Sequence, residues 1–299
     1  MTLTELRYIV ALSETKHFLK AAQQCNVSQP TLSIAVKKLE EELGVALFER
    51  SRAQVTTTPI GEKVVDQARA VLGESKNLIA LAQLGKDPLG AVLPVGAIHT
   101  VGPYLFPRLV GKLQQSAPRM PLYIEESYTA SLRQKLTSGE LDAIFIALPF
   151  NEPDVLTRAI FDEVFVVLMS PEHPLAKSKK IDPAELAQHQ VLLMGAGHCF
   201  RDQVLEVCPG LKESMGSSQG GNHTHIEGSS LETLKLMVAS GLGITVIPAS
   251  AANLGHEEGK TLVARPFADP APTRTIALAW RASYPRHKAI DVLTDALRG

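Results

Sequence analysis

The segment Gly195-Ala196-Gly197-His198-Cys199-Phe200-Arg201-Asp202 brings a thiol, an imidazole, a guanidinium and a carboxylate together in one short stretch. Phe200, Val204 and Val207 follow at helical spacing, so Cys199 is expected at a helix N-terminus. That position, together with His198 and Arg201, favours thiolate over thiol, and the thiolate is the form that attacks electrophiles. The same pattern also fits an inert buried cysteine. Cys208 lies nine residues further on, which on one intact helix is about 13 Å of rise. A disulfide tolerates roughly 7 Å between Cα atoms. If the two thiols pair, the helix must therefore bend or unwind, and Pro209-Gly210 with the Ser- and Gly-rich stretch Lys212–Asn222 supplies slack. His223 and His225 lack a third fixed ligand, so no metal is expected there. With no Cys-x-x-Cys and no flanked dinucleotide fingerprint, no cofactor is expected either.

A second set of chemically useful residues lies near the start of the chain. Phe18, Ala21, Ala22 and Cys25 repeat at i, i+3, i+4 and i+7, which predicts a short helix with Cys25 as a small core residue. After a tight turn at Asn26-Val27, Ser28 caps a second helix. Its stripe Leu32, Val36, Leu39 and Leu43 runs to Gly44, a C-terminal stop. The opposite face carries Gln29, Pro30, Ser33, Ile34, Lys37 and Lys38, with Thr31 beside them. Such side chains can reach base edges and phosphates in a DNA groove, although a plain solvated face has the same composition. Leu47 to Thr57 reads as a hairpin that puts Arg50 and Arg52 on the groove side with Lys37 and Lys38, while Glu40, Glu41 and Glu42 point away.

Thr58-Pro59 starts a long helix in which Val64, Ala68, Val71, Ser75, Leu78 and Ala82 recur at spacings of four and three. That seam predicts a covering helix from a second copy, hence at least a dimer. The helix is expected to stop at Gly85, with a linker through Gly90 and a domain boundary near residue 88. Beyond it, β-like runs at Leu93–Ala97, Leu122–Glu126, Leu141–Leu148, Val164–Ser170, Val191–Met194, Ile244–Pro248 and Thr275–Trp280 alternate with helical stretches. The expectation is an α/β architecture with a mostly parallel sheet.

With 45% hydrophobic and 20% charged residues and a net charge of −1 over 299 residues, the chain has ordinary globular composition, which excludes disordered and collagenous classes. Any DNA contact must then come from local patches. Three cysteines and an early charged N-terminus do not fit an exported disulfide framework, and no run is long enough to span a bilayer, so the expected place is the cytoplasm.

Residues Ala21 to Ser33 and Leu39 to Arg50 resemble the winged helix-turn-helix of LysR-type transcriptional regulators, and the resemblance continues through the long helix and the α/β region. It implies that Gln29, Pro30, Thr31 and Ser33 face the major groove of promoter DNA and that Arg50 belongs to the wing. It further implies a winged domain over 1–58, a dimerising helix and hinge over 59–90, and a regulatory domain over 91–299. That domain would consist of two lobes of periplasmic-binding-protein type, about 91–163 with 268–299, and about 164–267. The Gly197–Gln203 segment with Cys208, Ser230–Leu234 and Thr100–Leu105 is similar to the peroxide-sensing branch of that family. This likeness implies that hydrogen peroxide oxidises Cys199 and that Cys208 resolves the product as a disulfide, with Thr100, Thr129, His198, Arg201 and Asp202 lining the pocket. A dimer or tetramer working with RNA polymerase, rather than an enzyme, is implied. A regulator answering to a small ligand between the lobes, and a thiol peroxidase, are the alternatives.

Overall fold

The structure is a computed structural model that describes residues 1–50, 55–84, 89–211, 227–252 and 261–298. Arg52, the expected helix stop and linker at 85–88, and the stretch 212–226 with His223 and His225 lie outside the described residues. The chain divides into two compact units. One comprises 1–88 with 134–142 and 283–286, the other 89–133, 143–282 and 287–299.

In the first unit, α1 (Leu3–Thr15), α2 (Phe18–Gln24) and α3 (Gln29–Leu43) precede a hairpin of β1 (Phe48–Arg50) and β2 (Val55–Thr57). Ser28 caps α3 through a hydrogen bond accepted from the Thr31 backbone N–H at 3.3 Å, and Gly44 closes it at φ 70°, a left-handed conformation that favours glycine. Leu32, Val36 and Leu39 are fully buried against Ile9, Leu12 and Ala21. Cys25 is half-buried at the C-cap of α2, and burial pushes its thiol up from the ordinary value.

The long helix α4 (Pro59–Leu84) begins as expected, but its seam divides. Ala68 is buried, and Val64 partly so, in the chain's own N-terminal core, because α4 packs along α1. Those two residues are therefore not available to a partner as expected. Val71 and Leu78 stay exposed, Leu78 at 70%.

The second unit holds β3 (Leu93–Ile98), α5 (Gly102–Ser116), β4 (Leu122–Ser127), α6 (Thr129–Thr137) and β5 (Ala143–Ala147), followed by β6 (Val155–Met169) and β7 (Val191–Met194). Then come α7 (Cys199–Val207), β8 (Glu227–Gly228), α8 (Leu231–Ala239), β9 (Ile244–Pro248), β10 (Val263–Pro266), β11 (Thr273–Arg281) and α9 (His287–Arg298). The main sheet runs β4-β3-β5-β11-β6-β9-β7-β8, with β10 also on β6.

It is mixed rather than mostly parallel. Pairs β3–β4, β3–β5, β7–β8 and β7–β9 are parallel, whereas β11 is antiparallel to β5 and β6, and β6 is antiparallel to β9 and β10. Parallel neighbours need crossovers, which the α5 and α6 segments supply among β3, β4 and β5; β6, β10 and β11 run against their neighbours. β6 begins nine residues before its expected start at Val164, and serves two half-sheets: residues 155–164 pair with β11, and 165–169 with β9 and β10. A core under the second half gathers Phe165, Leu168, Phe200, Val204, Cys208 and Leu234.

Candidate functional site

The parallel strands β3 and β4 end side by side, Ile98 opposite Ser127, and their continuations supply His99, Thr100, Tyr128 and Thr129. Facing them is the N-terminus of α7, delivered by β7 through the turn Gly195–His198. Gly197 takes φ 90° there, a left-handed conformation that favours glycine, while a Cβ would make only ordinary contact with the Tyr128 ring at 3.4 Å. Between these pieces lies a recess lined by His99, Thr100, Tyr128, Thr129, His198 and Cys199 among others, with about 10 Å³ of room for the centre of a water-sized molecule. That is space for one very small ligand. Cys199 is the first residue of α7, half-buried and reduced.

Two polar atoms in the recess, Thr129 Oγ1 and His198 Nε2, are buried without a protein partner. Buried polar groups are nearly always satisfied, so a pair of orphans in a recess beside a thiol marks a place for a polar guest. His198 is buried, its ring 4.6 Å from that of Tyr128 and 5.6 Å from that of His99. Burial holds its pKa below the ordinary histidine value, the nearby His99 adds to this, and a hydrogen bond to the Ser229 backbone opposes it. Since Nε2 has no partner, the Ser229 bond belongs to Nδ1–H, and neutral His198 presents Nε2 as an acceptor.

Thr100 is tied down by a residue that no local motif singles out. Arg274, on β11, donates from Nη1 to Thr100 Oγ1 at 2.8 Å and from Nη2 to the Thr100 carbonyl at 2.9 Å. It is held in turn by Glu163 on β6, at 2.9 Å from Nε and 2.8 Å from Nη2. Both residues are buried. The guanidinium carbon stands 5.0 Å over the Phe200 ring. Because Thr100 Oγ1 already accepts from Arg274, its own proton is left to be donated elsewhere.

Thr100, Thr129, His198 and Cys199 thus come together, while two expected members do not. Arg201 donates instead to the Met194 carbonyl at 2.9 Å, and Asp202 is exposed. Arg201, two residues after Cys199, projects roughly 200° round the helix from it. Cys208 is 2% exposed at the far end of the intact α7, inside the apolar core, and burial pushes its thiol up to about 11.

On α3, Ser28, Gln29, Pro30, Thr31, Lys37 and Lys38 are exposed and Ser33 is half-buried. The glutamates do not simply point away. Glu41 sits 3.6 Å from Lys37, Glu42 binds the N-terminal amine, and Glu40 accepts hydrogen bonds from the Leu47 and Phe48 backbone at 2.8 and 3.1 Å, pinning the start of the hairpin to α3. Lys38 pairs with Glu5 at 4.0 Å. Arg50 pairs with Val55 in the hairpin backbone.

Residues 3–62 match the bacterial regulatory helix-turn-helix proteins of the lysR family, and residues 86–299 match the LysR substrate binding domain. The chain belongs to the LysR family of helix-turn-helix regulators. Within that family its similarity is to OxyR. The DNA-binding transcriptional dual regulator OxyR of Escherichia coli K12 is 39% identical over 100% of this chain and 95% of its own length. A full-length OxyR structure from Pseudomonas aeruginosa, with aspartate in place of a cysteine, is 55% identical with a TM-score of 0.77, covering 100% of this chain and 95% of that one. A hydrogen-peroxide-bound cysteine variant of Corynebacterium glutamicum OxyR is 31% identical with a TM-score of 0.63, over 99% and 91% of the two chains. No helix among the described residues is long and apolar enough to cross a membrane.

Proposed function

We propose that the protein is a peroxide-sensing transcriptional regulator in which Cys199 is the reacting thiol and Cys208 the resolving one. The observation that carries this is the pair of unsatisfied polar atoms, Thr129 Oγ1 and His198 Nε2, in a one-molecule recess that also holds the Cys199 thiol. Hydrogen peroxide offers two O–H donors and two acceptor oxygens, and matches that set in size and polarity. Its bound form in a relative of the same fold supports the choice of ligand.

In the first step the Cys199 thiolate attacks one peroxide oxygen, an S–O bond forms and the O–O bond breaks. The proton of the attacked oxygen passes by way of His198 Nε2 to the departing hydroxide, so water leaves and the sulfur is left as sulfenate, which takes a proton from solvent to become the sulfenic acid. Thr100 O–H and Thr129 O–H are placed to donate to the oxygens as negative charge moves onto them. In the second step the Cys208 sulfur attacks the sulfenic acid, forming the S–S bond and releasing a second water. Because α7 holds the two residues about 13 Å apart along its axis, that step requires α7 to come apart and Cys208 to leave its core.

The α3 face reads promoter DNA, with Gln29, Pro30, Thr31 and Ser33 towards base edges and Ser28, Lys37, Lys38 and the Arg50–Arg52 wing towards phosphates. Exposed Val71 and Leu78 on α4 support assembly as a dimer or tetramer, and the rearranged regulatory domains would alter DNA spacing and engagement of RNA polymerase in the cytoplasm. The test is intact mass after one equivalent of hydrogen peroxide with free thiols alkylated. A loss of two hydrogens mapped to the Cys199 and Cys208 peptides is expected, and a product oxidised at Cys25 instead would contradict the assignment.

A further inference from the structure

The recess at Cys199 has one wall that the thiol chemistry leaves unused. Tyr128 directly follows β4, and its ring stands against two imidazoles, 4.6 Å from the His198 ring and 5.2 Å edge-on from that of His99. Ring contacts of this kind hold an aromatic side chain in one place. Most of the lining is buried or half-buried; its exposed members are Tyr128 and Gly197, which face each other. Solvent therefore reaches the recess past this pair. A Cβ placed on Gly197 would already be in contact with the Tyr128 ring at 3.4 Å, so the gap between ring and turn admits no more than a methyl-sized group. Behind it lies about 10 Å³ of room for the centre of a water-sized molecule. A pair of oxygen atoms passes such a gap and fills such a space, whereas a branched carbon body does neither.

We infer that Tyr128 sets the substrate range of Cys199, admitting hydrogen peroxide and turning away alkyl hydroperoxides by size. The inference rests on the reading of Cys199 as the reacting thiol given above. Both oxidants offer the same reaction. With R–O–O–H the thiolate attacks the terminal oxygen, the S–O bond forms and the O–O bond breaks, and the proton of that oxygen passes to the departing alkoxide. An alcohol leaves and the sulfur is left as sulfenate, so the bond chemistry makes no choice between the two. What differs is the alkyl group, which must occupy the volume that the Tyr128 ring holds. Thr129 and His198 meet the peroxide oxygens, while Tyr128 decides which peroxide can arrive. Because it excludes by bulk, its ring is needed and its hydroxyl is not.

The test follows loss of the Cys199 thiol in reduced full-length protein by intact mass, with hydrogen peroxide, ethyl hydroperoxide and tert-butyl hydroperoxide. Each rate is divided by that of free cysteine with the same oxidant, which removes the intrinsic reactivity of the reagent. On that scale the wild type should favour hydrogen peroxide over tert-butyl hydroperoxide by at least about a hundredfold, with ethyl hydroperoxide in between. Tyr128→Ala should narrow this preference at least about tenfold, chiefly by raising the tert-butyl rate. Tyr128→Leu should narrow it less, and Tyr128→Phe should keep it within about twofold. A wild-type preference under about tenfold, or a preference unchanged in both Tyr128→Ala and Tyr128→Leu, overturns the role of Tyr128. A wild-type Cys199 that hydrogen peroxide leaves unoxidised would instead overturn the reading of the thiol itself, so the two failures are told apart.

Discussion

Cys199 and Cys208 sit on one helix and in opposite surroundings. At its N-terminal end Cys199 faces a small recess with two unsatisfied polar atoms and a buried guanidinium close by. At the other end Cys208 is packed among apolar side chains, its thiol pushed up to about 11 and so fully protonated at neutral pH. A helix stable enough to aim the first thiol also keeps the second away from it. Division of labour between the thiols is thus a property of their environments rather than of the residue type, and breaking each environment separately should reveal it.

The largest effect is expected from the thiols themselves. Cys199→Ser should abolish reaction with peroxide, read by intact mass. Cys208→Ser should leave the first step within about twofold of wild type and stop at a sulfenic acid that dimedone traps. The same Cys208→Ser change puts a hydroxyl in an apolar core, at a cost of about 1 to 3 kcal/mol in urea unfolding.

Arg274→Gln comes next. It strands the buried Glu163 carboxylate, which costs about 3 to 5 kcal/mol of stability, and frees Thr100 from its fixed orientation. A double variant with Glu163→Gln should recover most of that stability, whereas the peroxide rate should remain low.

Thr129→Val reverses the pattern seen at Cys208. Removing a hydroxyl that has no protein partner should leave the midpoint of unfolding unchanged or raised, while the peroxide rate falls by about tenfold, the equivalent of one hydrogen bond to developing charge.

The smallest effect concerns pH. Burial and His99 depress the His198 pKa, so the unfolded chain takes up that proton first as pH falls. The stabilisation from keeping His198 neutral is thus fully present above the ordinary histidine value of roughly 6.5 and declines below it, through the lowered folded value. Nitrogen chemical shifts of His198 should titrate with a midpoint below 6.5, and the peroxide rate should lose less between pH 7.5 and 6.5 than titration of an ordinary histidine would remove. A midpoint above 6.5 would remove His198 as a proton acceptor.

The sequence foretold local features well and partnerships poorly. Ser28, Gly44 and the Leu32–Leu39 stripe are statements about neighbouring residues, and α3 follows from them with the expected cap and stop. The Gly197-His198-Cys199 turn is legible for the same reason. Arg274 and Glu163 are 111 residues apart and lie in strands where a charge reads as solvent-facing, so nothing local announces that they bury each other. The polar residues of β6 before Val164 hid the front half of that strand, and with it the antiparallel pairing that mixes the sheet. Val64 and Ala68 illustrate a third cause: a heptad-like stripe cannot say whether its partner is another copy or the chain's own core.

The claim that joins both thiols is that α7 must open before they can meet. Backbone hydrogen exchange across Phe200–Val207 measures this directly, with reduced and oxidised protein compared at the same pH. Oxidation to the Cys199–Cys208 disulfide, verified by mass, should speed exchange there by at least about a hundredfold, while the α3 amides keep their protection. Unchanged protection across Phe200–Val207 in protein shown to hold that bond would contradict the account.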